Sequence, residues 1–270
     1  MPDFVFGGAA AVLTGAASGI GAALAVALGD RGTHLALVDR DEAGLAGVAA
    51  GVRQAHPELT VTTHVVDLSE HSDFAELVRD VAHDHGPVTL VVNNAGVALG
   101  GRLDQLTLDE IDWLMSINFR AVVAITKAFL PALLAAPGSH LVNVSSLFGL
   151  MAPAGQSAYA ASKFAVRGFT EAVRAEIGPR GVGVTTVHPG GVATNIAKNA
   201  RMAQGVPDNA RASISGMLTM PPSEAAALIV RASEKRQVRV VITSRAKLVD
   251  RVVRLMPVRG VALINRRIRK

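Results

Sequence analysis

Ala10-Ala11-Val12-Leu13-Thr14-Gly15-Ala16-Ala17-Ser18-Gly19-Ile20-Gly21 is the stretch on which the architecture turns. The apolar run Ala10–Leu13 reads as a buried strand, and the segment from Ile20 to about Asp30 reads as a helix. Between them, Gly15, Gly19 and Gly21 allow a sharp turn, and the helix start offers free N–H groups and a positive dipole end. A strand, a glycine turn and a helix in that order suit the cradling of a pyrophosphate. The spacing here is G-x-x-x-G-x-G and not G-x-G-x-x-G, so an ordinary glycine-rich turn stays open on these residues alone.

Working outward, Phe4 to Gly29 contains no charged residue, which raises a signal peptide or a membrane span. Asp3 stands where a basic n-region belongs, and Gly7, Gly8, Gly15, Gly19 and Gly21 interrupt the segment, so a cytoplasmic protein is expected. The strand and helix pattern then repeats. His34–Val38 reads as a second strand ending in Asp39, whose carboxylate suits ribose hydroxyls and repels a 2′-phosphate. That favours NAD over NADP, although the neighbouring Arg40 offers a guanidinium for such a phosphate, and Asp39 also suits a plain turn into Asp41-Glu42.

Val61–Val66 reads as a third strand, followed by Asp67-Leu68 and a helix from about Ser72 to His85. Val88–Val92 is a continuous apolar run of the buried parallel type, ending in Asn93-Asn94-Ala95-Gly96. Thr107–Leu134 reads as one long helix, with Asn118 either an exposed residue or a placed amide between Ile117 and Phe119.

A second stretch carries the chemistry: NVSSLFGLMAPAGQSAYAASK, Asn143 to Lys163. It holds the only tyrosine, Tyr159, and Lys163 four residues on. If the chain is helical from Ala158, the two side chains share a face. A cation about 5 Å from a phenol at an effective dielectric of about 20 favours the phenolate by roughly 3 kcal/mol. That lowers the phenol pKa by about two units, towards the range of a general acid or base. A surface Tyr–Lys pair is the plain alternative.

Composition narrows the classes. The 270 residues suit one large α/β domain, and half are apolar. With no cysteine, disulfides, thiolate catalysis and Cys-based metal sites are excluded, and the eight histidines show no metal-ligand spacing. The net charge of +5 is uneven: residues 231–270 hold 13 Lys/Arg against Glu234 and Asp250, and the body before them is mildly acidic. No nucleic-acid partner is therefore expected.

As a set, TGAASGIG, Asp39, Asp67, NNAG, Asn118, Ser146, YAASK and Pro189-Gly190 resemble the short-chain dehydrogenase/reductase family over about Ala10 to Thr194. The resemblance implies a single-domain α/β fold, a Rossmann-type doubly wound parallel sheet in three α/β/α layers. It implies an NAD(P)-dependent oxidoreductase acting on a secondary alcohol or ketone. Tyr159 would be the general acid/base, with Lys163 lowering its pKa and holding the nicotinamide ribose. Ser146 would bind the substrate oxygen in preference to Ser145, and Asn118 would anchor a water leading from Lys163. Gly15, Ser18, Gly19, Ile20 and Gly21 would line the pyrophosphate and ribose. Asp39 and Arg40 would face the adenosine ribose, and Asp67 and Leu68 the adenine. Asn94, Ala95 and Gly96 would lie along the adenosine side, and Pro189, Gly190, Val192 and Thr194 against the nicotinamide. A homodimer or homotetramer would follow, with the dimer using the Thr107–Leu134 and Ala158–Ile177 helices. A non-catalytic dinucleotide sensor or scaffold is the alternative class.

For substrate, Leu147, Phe148, Leu150 and Met151 are expected to wall the pocket. A segment at about 195–222, with Ile196, Met202, Ile214, Met217, Leu218 and Met220, is expected to cover it as a lid. Both point to a bulky apolar alcohol or ketone, such as a steroid, retinoid, terpenoid or fatty chain. After a last strand at Gln237–Thr243, residues 244–270 have helical spacing broken at Pro257 and end in a basic cluster. This extension is expected to pack on the body or a partner copy, with peripheral contact to an anionic membrane as the alternative.

Overall fold

Alternating apolar runs and amphipathic segments produce a parallel sheet with helices on both faces. The computed structural model describes residues 1–70, 73–206, 216 and 218–268. In chain order the elements are β1 (Ala10–Thr14), α1 (Gly19–Gly29), β2 (His34–Asp39), α2 (Glu42–Ala55), β3 (Val61–Val65) and α3 (Ala75–His85). They continue with β4 (Leu90–Asn93), β5 (Leu99–Gly100), α4 (Leu108–Met115), α5 (Ala121–Ala135), β6 (His140–Val144) and α6 (Ser157–Ile177). The last are β7 (Gly183–Pro189), β8 (Arg201–Met202), α7 (Pro222–Glu234), β9 (Arg239–Ile242), α8 (Ser244–Leu255) and α9 (Arg259–Ile268).

Seven strands pair in parallel in the order β3-β2-β1-β4-β6-β7-β9, and β5 pairs with β8 in a separate ribbon. Adjacent residues of a strand face opposite sides. Leu13 therefore joins Leu24, Leu37, Leu45 and Ile229 in one core, beneath α1, α2 and α7. Val12 joins Val38, Val91, Ile125, Phe129 and Val173 in the other, beneath α3, α5 and α6. This is the three-layer α/β/α, Rossmann-type arrangement.

β1 lies between β2 and β4, with Val12 level with both Ala36 and Val91. The strand order reverses at β1, and in such sheets a crevice opens beyond the carboxyl ends of the strands. Gly15 and Asn94 follow those ends. The long helix expected over Thr107–Leu134 is interrupted: one turn of π-helix, Ser116–Arg120, joins α4 to α5. The reason is Asn118, whose side chain bonds outside its own helix and pulls the backbone out of the i→i−4 pattern.

The C-terminal extension forms two helices that part at Met256–Val258. Ala246 and Asp250 of α8 are buried, and Leu248, Leu255 and Val258 are exposed.

Candidate active site

The glycine turn shapes one end of the site. Gly15 and Gly19 have φ of +67° and +56°, and a Cβ on Gly21 would lie 1.8 Å from the Gly15 carbonyl oxygen. No side chain but hydrogen fits there. The Asn94 amide straps the turn, donating to the Thr14 and Gly15 carbonyls at 3.0 and 3.2 Å. Ser18 caps α1 without a side-chain hydrogen bond, and the first turn of the helix carries no acidic residue. Free N–H groups and an unopposed dipole fit an anionic pyrophosphate.

At the end of β2, Asp39 is held by its own neighbourhood. Its carboxylate accepts from the N–H groups of Ala17 at 3.1 Å, Arg40 at 2.8 Å and Asp41 at 3.2 Å. Arg40 extends towards Asp67, with the nearest N···O distance 3.8 Å. Asp67 in turn accepts from the Ser69 backbone and hydroxyl at 2.8 and 2.7 Å.

The other end is built by β6 and α6. Tyr159 and Lys163 share a face of α6 and are 8% and 3% exposed. The Lys163 ammonium lies 5.9 Å from the Tyr159 ring centre and donates to the Val144 carbonyl at 3.3 Å. Burial brings the Lys163 pKa down to about 8. The expected lowering of the Tyr159 pKa is not what this environment gives. Burial pushes the phenol up, opposed by a hydrogen bond from Ser146. The physical reason is desolvation, which disfavours phenolate and ammonium alike. Of the two adjacent serines, Ser145 is engaged elsewhere, donating to the Lys163 carbonyl at 2.8 Å. Ser146 is left to face the phenol.

Asn118 is fully buried, which removes the exposed alternative. Its oxygen accepts from the Val97 N–H at 2.8 Å, and its amide donates to the Val97 carbonyl at 3.0 Å and the Ser162 hydroxyl at 3.1 Å. Ser162 continues to the Tyr159 carbonyl at 2.8 Å. A Cβ on Gly96 would stand 3.1 Å from the Lys163 ammonium and 3.3 Å from the Asn118 oxygen. Gly96 thus leaves space between these two groups.

A cavity of about 330 Å³ joins the two ends. Gly15, Ser18, Gly19, Ile20, Asp39, Arg40, Asp67 and Leu68 line one part, and Asn94, Ala95 and Gly96 line the middle. Ser146, Tyr159, Lys163, Pro189, Gly190, Val192 and Thr194 line the other part. Gly21 and Asn118 stand behind it. The expected wall differs throughout: none of Leu147, Phe148, Leu150 and Met151 lines the cavity. Phe148 packs edge-on against Tyr159, ring centres 6.1 Å apart, and Met151 is 2% exposed, so both back the site without lining the cavity. Helical-turn geometry after Ser146 turns them towards the protein. The lining is supplied instead by Trp113, Ile196, Asn199, Arg201 and Leu218. The segment carrying the last four is closed at its neck, where Ala193 N–H donates to the Met220 carbonyl at 2.8 Å and Thr219 N–H to Gly191 at 3.0 Å. Ile214 and Met217 lie outside the described residues.

His188 was not legible as a site residue. Its Nδ1–H donates to the Ser146 carbonyl at 3.0 Å, and burial takes its pKa down to about 4. A neutral, fully buried imidazole thereby holds the backbone of Ser146. The only sequence signal is its place just before Pro189-Gly190. Among the described residues there is no cluster suited to a metal ion.

A sequence model of the family "short chain dehydrogenase" matches residues 9–205. The Mycobacterium tuberculosis protein SadH is 44% identical over 260 residues, 93% of this chain and 92% of the relative. A short-chain dehydrogenase/reductase from Burkholderia phymatum, solved in complex with NAD, superposes with a TM-score of 0.84 at 28% identity, over 93% of this chain and 95% of that one. A short-chain dehydrogenase from Burkholderia cenocepacia, solved in complex with NADP, gives 0.77 at 31% identity, over 90% and 99%. The chain belongs to the short-chain dehydrogenase/reductase family of oxidoreductases.

Proposed function

We propose that the protein interconverts a secondary alcohol and a ketone on a largely apolar substrate, with NAD preferred over NADP. The observation that carries this reading is the convergence of Ser146, Tyr159 and Lys163 on the same cavity as the glycine turn at Thr14–Gly21. A nicotinamide dinucleotide bound along that cavity supplies or accepts a hydride at the carbon bearing the oxygen. In reduction the ketone gains that hydride and one proton; in oxidation both leave.

The proton is the protein's part. Tyr159 donates it to the carbonyl oxygen or takes it from the hydroxyl, and Ser146 hydrogen-bonds the same oxygen. A phenol whose pKa is raised by burial is well suited to stay protonated until a carbonyl oxygen gains charge. In oxidation, Lys163, cationic at neutral pH, offsets the charge on the departing phenolate. Lys163 would also hold the nicotinamide ribose, and the space beside Gly96 and Asn118 suits a water that returns the proton to solvent. Val192 and Thr194 would lie against the nicotinamide, and Gly15, Ser18 and Ile20 would hold the pyrophosphate.

NAD is favoured by Asp39. Three backbone donors fix its carboxylate at the end of β2, with acceptor capacity left for two ribose hydroxyls and a charge opposed to a 2′-phosphate. Arg40 leans towards Asp67, which offsets part of its pull on that phosphate. A non-catalytic sensor has no observation in its favour.

The test is reduced-nicotinamide absorbance with NAD and with NADP over a panel of apolar secondary alcohols and their ketones. The expected result is turnover with kcat/KM at least tenfold higher for NAD. Preference for NADP would transfer the selection to Arg40, and turnover of only small polar polyols would overturn the apolar substrate.

A further inference from the structure

Arg201 occupies a position that hydride transfer does not require. Its guanidinium carbon lies 3.5 Å from the centre of the Trp113 indole, a stacking distance. The backbone beneath it is fixed: β8 pairs with β5, Leu99 opposite Arg201, and the Arg201 N–H donates to the Ala98 carbonyl at 3.0 Å. Among the described residues Arg201 has no ion-pair partner, whereas Arg31, Arg102, Arg167 and Arg239 each pair with a carboxylate. A guanidinium stacked by its face keeps its N–H edge free, in the fork geometry that takes a carboxylate in two parallel bonds.

The stack is joined to the reacting end by apolar surface. Trp113 packs in the cluster of Leu99, Leu114, Ala158 and Tyr159. Trp113, Arg201 and Tyr159 all line the same cavity. An apolar floor therefore separates a hydroxyl pair that grips a ketone oxygen from a cation with free donors.

We propose that the substrate is an apolar oxo or hydroxy acid, its carboxylate bound by Arg201 on Trp113 while its ketone or alcohol meets Ser146 and Tyr159. This rests on the alcohol–ketone reading above and adds an anionic end to the substrate. Arg201 acts here as a specificity-determining residue.

Trp113 is the single tryptophan of the chain, so its fluorescence reports on the stack directly. The probes are 9-oxodecanoate and its methyl ester, offered to the wild type and to Arg201→Gln and Arg201→Lys. The readouts are kcat/KM with reduced cofactor and Trp113 fluorescence on titration. We expect the acid to exceed the ester at least tenfold in kcat/KM, through KM. That ratio should fall at least tenfold in Arg201→Gln, and Arg201→Lys should lie between. The acid should shift the Trp113 emission in the wild type and not in Arg201→Gln.

Equal use of acid and ester by the wild type would overturn the proposal while leaving the redox reading intact. So would an Arg201→Gln effect equal on both, or no fluorescence response to the acid. An Arg201-dependent, acid-selective fluorescence response without any reduction would uphold the anion site and count against the alcohol–ketone reading.

Discussion

Asn118 and His188 show how single buried polar groups set the site from behind. Asn118→Leu keeps the volume but strips the partners from the Val97 N–H and carbonyl and from Ser162. Each buried group left unpaired costs about 1–3 kcal/mol. With Val97 half-buried, the three lost bonds place the total near the low end. A loss of about 3 kcal/mol in urea-measured stability is expected, with turnover reduced as well. Unchanged stability would mean the Val97 loop finds other partners. The Tyr159–Lys163 pair was legible because a helical period of four residues is a local property. The sign of the Tyr159 shift was not, because its burial is set largely by Leu99 and Leu114, distant in sequence. The role of His188 was hidden for the same reason: its partner, the Ser146 carbonyl, lies 42 residues away.

Among elements, the glycine turn is the most constrained. Gly21→Ala places a methyl group against the Gly15 carbonyl and the Asn94 amide, at 1.8 and 2.7 Å. The turn must shift, at a cost of about 3 kcal/mol or more, and cofactor binding should weaken with it. Gly47 is the matched control: it sits within α2 with no atom within 4 Å of an added Cβ. Gly47→Ala should stabilise the protein by about 0.5–1 kcal/mol, read as a higher thermal midpoint. If both changes are neutral, the close packing at Gly21 is not present in solution. The strand and helix order was legible from apolar periodicity, because parallel strands buried on both faces read as continuous apolar runs. The π turn at Ser116–Arg120 was not, since it depends on the Asn118 contact to Val97 rather than on local propensity. Nor was the β5–β8 ribbon, where two residues on each strand pair across about a hundred positions and leave no periodic trace.

At the scale of the whole molecule, two buried histidines link stability to acid. Burial takes His140 down to about 3 and His188 to about 4 from an ordinary 6.5. Above pH 6.5 both are neutral folded or unfolded. As pH falls below 6.5 the unfolded chain gains protons that the folded one refuses, so stability is lost progressively towards pH 4 and 3. By pH 5 this amounts to about 2 kcal/mol for each histidine. Urea midpoints at pH 7 and pH 5 should differ accordingly, and His140→Gln should flatten the slope by about one proton; equal midpoints would place these histidines in water.

Whether Tyr159 passes the proton beside a bound nicotinamide is decided by comparing the wild type with Tyr159→Phe. Ketone reduction and the dissociation constant of the reduced cofactor are measured on the same preparations. The expected rate loss is about 1,000-fold, with cofactor affinity changed by less than about threefold, since a phenyl ring retains the shape and the apolar contacts of the phenol. Retention of more than about a tenth of the wild-type rate, a loss far smaller than removal of a general acid produces, would contradict it.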